Sequence, residues 1–315
     1  MYIREQILYR PNAMGMVSTR GFHRETPVDL LKEFTICESL ATLTCPYVKA
    51  FKLDKPYGEL LGDFLVKKDL LTPSSVVLEV GGGYGSLMCG LLSSPHGRLI
   101  QKVFMMDLSP ALLKKQKEKL KGFPGVASFI QADIHELKGA GGRLDLIIIN
   151  EVIGDLDTAT SLDPSHLPED ISALVSAYGL EIPPAGPFNF NIGAVRLVGT
   201  ICRLGVPAFI SEHSCDPIIP DSMRYLAEGL EPGSFPREIR LYAHSEHTIR
   251  FSHLIKVARS FGKTVATGSL IDLLGIEASP AYRFIFLSRA CATEEQEIIG
   301  EFLDHVREYR WLTIA

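Results

Sequence analysis

The stretch that most constrains this chain is residues 76–86, VVLEVGGGYGS, where a strand-length apolar run carrying one carboxylate, Glu79, leads straight into glycines at 81, 82, 83 and 85. It reads as a buried parallel strand, then a turn that side chains would block, then a helix over residues 86–92. Such a turn lets a ligand lie against bare backbone. Dinucleotide sites and S-adenosylmethionine sites both place one after their first strand. Two details separate them. The third glycine of a GxGxxG fingerprint falls on Ser86, and Glu79 stands two places before the first glycine. A carboxylate there repels a pyrophosphate and attracts the ammonium group of a methionine. The balance favours an adenosylmethionine site over a nicotinamide site.

Bulk properties narrow the rest. At 315 residues with 46% hydrophobic residues, the chain can build one large α/β domain with additions, or two domains. A net charge of −5 offers no basic field for a nucleic-acid backbone, so nucleic acid is not the expected partner. Six cysteines, at 37, 45, 89, 202, 215 and 291, form no CxxC pair, which suits reduced thiols and argues against structural zinc. Residues 1–10 carry charges every few positions, unlike a signal peptide. No window approaches the ~18 apolar residues of a membrane helix. The expectation is a cytoplasmic protein with no membrane partner and an open oligomeric state.

Along the chain, residues 26–70 show helical spacing, with Pro27 as a first-turn residue after Thr26, and residues 57–65 restart a helix just before the glycine strand. This N-terminal helical layer packs on the sheet or forms a lid. Residues 102–106 give a second strand ending at Asp107, where α/β folds hold ribose hydroxyls. Ser109 and Pro110 then open a helix that Gly122 closes, and five lysines between 114 and 121 form its solvated face. A third strand, 126–131, ends in Ala132-Asp133, placed to meet an adenine amine or to sit in a surface turn. The fourth, 144–149, is apolar apart from Asp145 and ends in Asn150-Glu151, with Asp155 and Asp157 following. That acidic cluster lies in the crevice outside the strand ends. It either serves the reaction or caps the next helix, with Glu151 the strongest candidate.

Residues 158–200 are proline-rich and read as an insertion over the crevice. A helix over 195–204 and a fifth strand over 206–210 follow, running out into Ser211, Glu212 and His213, a histidine that is either solvated in the loop or catalytic. His244, His247 and His253 fit no zinc spacing, so no metal site is expected. A helix over 251–261 ends at Gly262, residues 263–266 and 282–288 supply the last strands, and residues 294–310 form a terminal helix. The fold class is α/β, a doubly wound, seven-stranded Rossmann-like methyltransferase sheet. The expected divisions are an N-terminal helical layer at 1–70, a cofactor-binding half at 71–157, an insertion or lid at 158–200 and a C-terminal half at 201–315.

With these residues in place, the chain resembles the class I S-adenosylmethionine-dependent methyltransferases, and more narrowly the MidA family. That family includes the mitochondrial complex I assembly protein-arginine methyltransferase. The resemblance rests on YGELLGDFL at 57–65, LEVGGGYGSLM at 78–88, NEVIGDL at 150–156 and the helix, strand and LLGI pattern of 246–278. The family's GDFxTAPEIS-like stretch is not recognisable in residues 35–55, and its phenylalanine pair after NE is Val152-Ile153 here.

Strand-end positions and the resemblance agree on roles. Gly81, Gly82, Gly83 and Gly85 admit the methionine part and Glu79 supports its ammonium group. Asp107 with Leu108 holds the ribose, and Ala132, Asp133 and Ile134 frame adenine beside Asn150. If the acceptor is an arginine, as the resemblance implies, Glu151 and Asp155 are placed to grip its guanidinium fork and take its proton. A small-molecule acceptor and a non-catalytic, cofactor-binding assembly protein are the competing expectations.

Overall fold

The computed structural model describes residues 15–26, 28–139, 142–231 and 233–315. Residues 1–10 and Pro27, on which two of the readings above rest, lie outside the described residues. The main sheet has seven strands: β1 Ser75–Val80, β2 Ile100–Asp107, β3 Ala127–Gln131, β4 Leu146–Asn150, β5 Ala208–His213, β6 Val265–Ser269 and β7 Tyr309–Ile314. Their order is β6-β7-β5-β4-β1-β2-β3. Strands β1 to β5 are parallel to their neighbours, while β7 runs antiparallel to both β5 and β6.

The apolar runs explain the centre of this sheet. Every residue of β1 and β4 is buried, as expected of strands covered on both faces. Alternate side chains then divide between two cores. Val77 and Ile148 join the core formed with helices Tyr57–Lys67, Ser86–Ser93 and Glu294–Val306. Leu78, Ile147 and Ile149 join the core formed with helices Ile192–Leu204 and Phe251–Ser260.

The N-terminal layer differs from its sequence reading. Helix Arg20–Glu25 ends at Thr26 instead of starting there, and only short turns, Leu30–Lys32, Ile36–Ser39 and Pro46–Ala50, precede helix Tyr57–Lys67. The 158–200 stretch is more regular than its prolines suggest. Strands Thr158–Leu162 and Phe188–Phe190 pair with each other, Met16–Val17 adds to the same small sheet, and helix Glu169–Tyr178 lies between. The expected division after residue 200 falls inside helix Ile192–Leu204.

Other corrections lie near the end. Residues 282–288, expected as a strand, belong to helix Pro280–Ser288, which Ser279 caps by accepting from the Ala281 amide. The terminal helix stops at Val306, and the true last strand is the wholly buried β7. The helix after β2 ends at Lys119 with Leu120 as its cap, so Gly122 does not close it. Strand β5 continues to His213, which puts Ser211 and Glu212 inside the sheet. Among the described residues no helix is long and apolar enough to cross a membrane, and all six cysteines are free.

Helix Tyr57–Lys67 packs closely on helix Ser86–Ser93 through its glycines. A Cβ on Gly58 would lie 2.4 Å from the Leu87 carbonyl oxygen and 2.6 Å from the Leu91 nitrogen, both backbone atoms of helix Ser86–Ser93. Side-chain repacking cannot relieve such a clash. Gly58→Ala is expected to destabilise the fold by about 1–3 kcal/mol, the usual cost of overpacking, measured as a lower urea midpoint at unchanged slope.

Candidate active site

Strand β1 delivers Glu79 and the glycine turn to the carboxyl edge of the sheet. Gly81 has φ +63° and Gly85 has φ +84°, a region that side chains disfavour. At Gly81 a Cβ would also lie 2.4 Å from Val152 Cγ2. The Gly81 amide donates to the Met106 carbonyl at 2.8 Å, which docks the turn on β2. The turn opens on a cavity of about 240 Å³ lined by Glu79, Gly81, Gly82, Gly83, Asp107, Leu108, Ala132, Asp133, Ile134, Asn150, Glu151 and Asp155, among others. Of the residues expected to hold a cofactor, only Gly85 does not line it. That glycine instead turns the chain into helix Ser86–Ser93.

Glu79 is 2% exposed, and its Oε2 makes no hydrogen bond. Burial, helped by the nearby Asp107 charge, pushes its carboxyl up to about 8. Asp107 is also raised by burial, to about 6, against the pull of its hydrogen bonds. Its Oδ1 accepts from the Ser109 amide at 2.9 Å and its Oδ2 from Gln116 Nε2 at 2.8 Å. Gln116 also donates to the Gly83 carbonyl at 3.1 Å, so one amide holds both the turn and the carboxylate. Sequence reasoning passed over Gln116. Its signal was an uncharged residue among five lysines on one helix.

Asp133 accepts from the His135 amide and is paired with Arg20 at 3.1 Å. Asn150 is engaged by the protein itself, its Oδ1 accepting from Tyr57 Oη at 2.6 Å and its Nδ2 donating to Glu151.

The other half of the cavity is strongly acidic. Glu151 lines it, but four donors hold its carboxylate: the Ile36 and Cys37 amides, Asn150 Nδ2 and Tyr309 Oη. Asp155 lies beside His23 and His244. Burial alone would raise the Asp155 carboxyl, but those two imidazoles hold it well below the ordinary carboxylate range. Three further carboxylates, Glu33, Glu212 and Glu246, complete the wall. Burial raises Glu212 to about 7, and burial with Glu212, Asp155 and Glu151 nearby raises Glu246 well above its ordinary value.

His213, expected in a solvated loop, is buried against the Tyr309 ring at 4.0 Å, and burial lowers it to about 4. The roof consists of residues 18–38 and the hairpin of Glu238–Arg240 with Ser245–His247. The 158–200 insertion supplies no lining residue.

Residues 77–163 match the model of a methyltransferase domain. That segment is a methyltransferase domain. It holds most of β1 and all of β2 to β4, with the glycine turn, Asp107, Asp133 and Glu151 at their carboxyl ends. Two solved structures from Burkholderia thailandensis share the fold over most of this chain. One is an uncharacterized protein, 14% identical with a TM-score of 0.53, the match covering 96% of this chain and 87% of that one. The other, of the same superfamily and bound to S-adenosyl-homocysteine, is 15% identical with a TM-score of 0.55, covering 96% and 88%. No curated protein is matched in sequence.

S-adenosylmethionine is the methyl donor for such a domain, and the residues present fit it. Glu79 offers a buried oxygen without a partner, where an ammonium group supplies both a hydrogen bond and a countercharge. Asp107 is held by donors from one side and keeps lone pairs for hydroxyls on the other.

A pH effect follows from Glu79. Its carboxyl is neutral below about 8 in the free protein, and a bound ammonium favours the ionised form. Binding of S-adenosylhomocysteine at pH 6.5 is therefore expected to release a proton, and affinity to rise with pH up to about 8. Calorimetry in two buffers of different ionisation enthalpy measures that release. Glu79→Gln should abolish it and weaken binding about 10–100-fold, as for loss of a charged hydrogen bond of ~1.5–3 kcal/mol.

Proposed function

We propose that the protein transfers a methyl group from S-adenosylmethionine to a nitrogen of a cationic acceptor, with arginine on a protein the first candidate. The observation that carries this reading is the cluster of Glu33, Asp155, Glu212 and Glu246 in one cavity beside the donor residues. Glu212 and Glu246 are raised because no positive charge faces them closely enough to offset their burial. A guanidinium or ammonium group supplies that charge and restores both to the ionised form. The MidA resemblance points to the same acceptor.

When bound, the donor supplies a methyl group that is already electrophilic, so the protein's work is orientation, water exclusion and removal of one proton. Glu79, the glycine turn and Asp107 fix the donor. Glu212 accepts from the Gly154 amide at 3.2 Å and from the His213 amide at 2.9 Å, and so holds a fixed direction. Glu246 faces it from the hairpin and is the group we assign to take the acceptor's proton. The grip first expected of Glu151 passes to Glu212 and Glu246, because the donors of Ile36, Cys37, Asn150 and Tyr309 already hold the Glu151 carboxylate. Glu151 acts through the segments it positions.

One observation favours a second reading, a free small-molecule acceptor: residues from 18–26, 28–38 and the 238–247 hairpin line a cavity of only about 240 Å³. The test is calorimetric titration with S-adenosylhomocysteine, beside an Asp107→Ala control, followed by labelled methyl transfer to separate protein and metabolite pools. Micromolar binding lost in the control and label in either pool support methyl transfer, and the labelled pool decides the acceptor. Binding without label in any pool would instead identify a non-catalytic binding protein. Glu246→Gln should lower turnover about 100-fold or more, the usual weight of a general base, while leaving S-adenosylhomocysteine affinity unchanged.

A further inference from the structure

At the roof of the cavity two histidines that the methyl-transfer reading does not use converge on Asp155. His23 Nε2 lies 3.1 Å from Asp155 Oδ1, and His244 Nε2 lies 3.3 Å from the same oxygen. All three side chains offer ligand atoms within 4.8 Å of one another. Asp155 Oδ1 and His23 Nε2 are shielded from solvent and neither makes a hydrogen bond, so the contacts lack the alignment of a simple imidazole–carboxylate pair. Their spacing instead suits three atoms around one ion. Bonds of about 2.0–2.1 Å at tetrahedral angles set neighbouring ligand atoms about 3.3 Å apart.

The surroundings support ligation. The His244 side chain is 4% exposed, and its other ring nitrogen, Nδ1, also without a hydrogen bond, faces Glu33 Oε1 at 3.7 Å. At 3.7 Å the Glu33 carboxylate does not hydrogen-bond that nitrogen, but it places negative charge on the side of the ring away from Asp155. Phe22 stacks on the His244 ring at 4.7 Å and limits its rotation. The three residues come from helix Arg20–Glu25, the turn after β4 and the hairpin, so an ion here joins both halves of the roof to the sheet.

We propose that His23, Asp155 and His244 bind one divalent transition-metal ion of the zinc class, closing the roof over the methyl-transfer cavity. Two imidazoles and one carboxylate form a nitrogen–oxygen donor set suited to zinc, and three protein ligands leave a position for water or an acceptor atom. Glu212 and Glu246 are outside the set and stay available to a cationic acceptor. No sequence motif announces the site, because its ligands are 132 and 89 residues apart, from 23 to 155 and from 155 to 244.

The test uses the full chain, stripped with chelator, shown to be folded by circular dichroism and titrated with zinc. One ion per chain is expected. His23→Gln and His244→Gln should each weaken binding at least about 100-fold, more than the 10–100-fold cost of losing an outer partner. His166→Gln, at an exposed site, should leave binding unchanged. Cobalt(II) added to the unmutated chain should give intense visible ligand-field bands, a readout that survives if a variant misfolds. A folded chain that takes up no zinc and shows no such bands, or zinc affinity that neither histidine variant moves, would overturn the proposal. The same samples titrated with S-adenosylhomocysteine separate the two readings. Donor binding without zinc defeats the metal site alone, and zinc binding without the donor defeats the methyl-transfer reading alone.

Discussion

The Glu151 carboxylate is the contact on which the site depends. It stands at the end of β4 with a left-handed backbone, φ +56°, and its amide donates to the Ser211 carbonyl of β5. Its oxygens accept from the Ile36 and Cys37 amides, which begin helix Ile36–Ser39, and from Tyr309 Oη at the start of β7. A carboxylate is suited to that position because the first amides of a helix have no partners of their own and carry partial positive charge. One side chain thus joins the N-terminal segment, the centre of the sheet and the last strand. Those partners are 114 to 158 residues away in sequence. The cavity takes its shape from contacts of that range, with residues 18–38 held above the glycine turn instead of trailing from it.

That range explains what could be read from the sequence and what could not. Strands β1 to β4 were legible because each is a short apolar run ending at a glycine or a carboxylate, and position at a strand end specifies the ligand face of an α/β sheet. Glu79, Asp107 and Asp133 were singled out for that reason, and all three line the cavity. β7 was missed because it follows helix Glu294–Val306 after only two residues, with no glycine or proline to mark the change. The 282–288 segment was misread because its aromatic and β-branched residues suit a strand, whereas the Ser279-Pro280 pair starts a helix that tertiary packing then retains. Glu246 and His23 carry no local pattern. Their importance arises only when distant elements converge.

Buried charge gives the cavity its chemical character. Glu33, Asp155, Glu212 and Glu246 share one space, yet they are not equivalent. Asp155 has two imidazoles beside it and is held ionised. Glu212 has backbone donors only and Glu246 lies among other carboxylates, and both are driven toward the neutral form. Burial costs an unpaired carboxylate more than it costs one facing a cation, so the raised pair marks where positive charge is most strongly favoured. Glu79 behaves likewise at the donor end. The cavity therefore has two places that gain most from a cation, one beside the glycine turn and one beside β5. A methyl donor with an ammonium group and an acceptor with a protonated nitrogen match that distribution together. A nicotinamide dinucleotide, with its pyrophosphate beside Glu79, matches neither place.

The roof makes the N-terminal segment part of the active site and not merely a layer packed on the sheet. Arg20 pairs with Asp133, the residue at the adenine end, while His23, less than one helical turn later, reaches Asp155 at the acceptor end. Helix Arg20–Glu25 therefore spans the distance between the donor and acceptor halves of the cavity, and its seat depends on both. Arg20 also reaches Asp157 at 3.4 Å, and the Thr19 hydroxyl donates to the Asp155 carbonyl at 2.9 Å, so the helix is tied to the segment after β4 as well as to Asp133. Asp133, expected from its strand-end position to frame adenine, thus also anchors the N-terminal segment that lines the acidic half of the cavity.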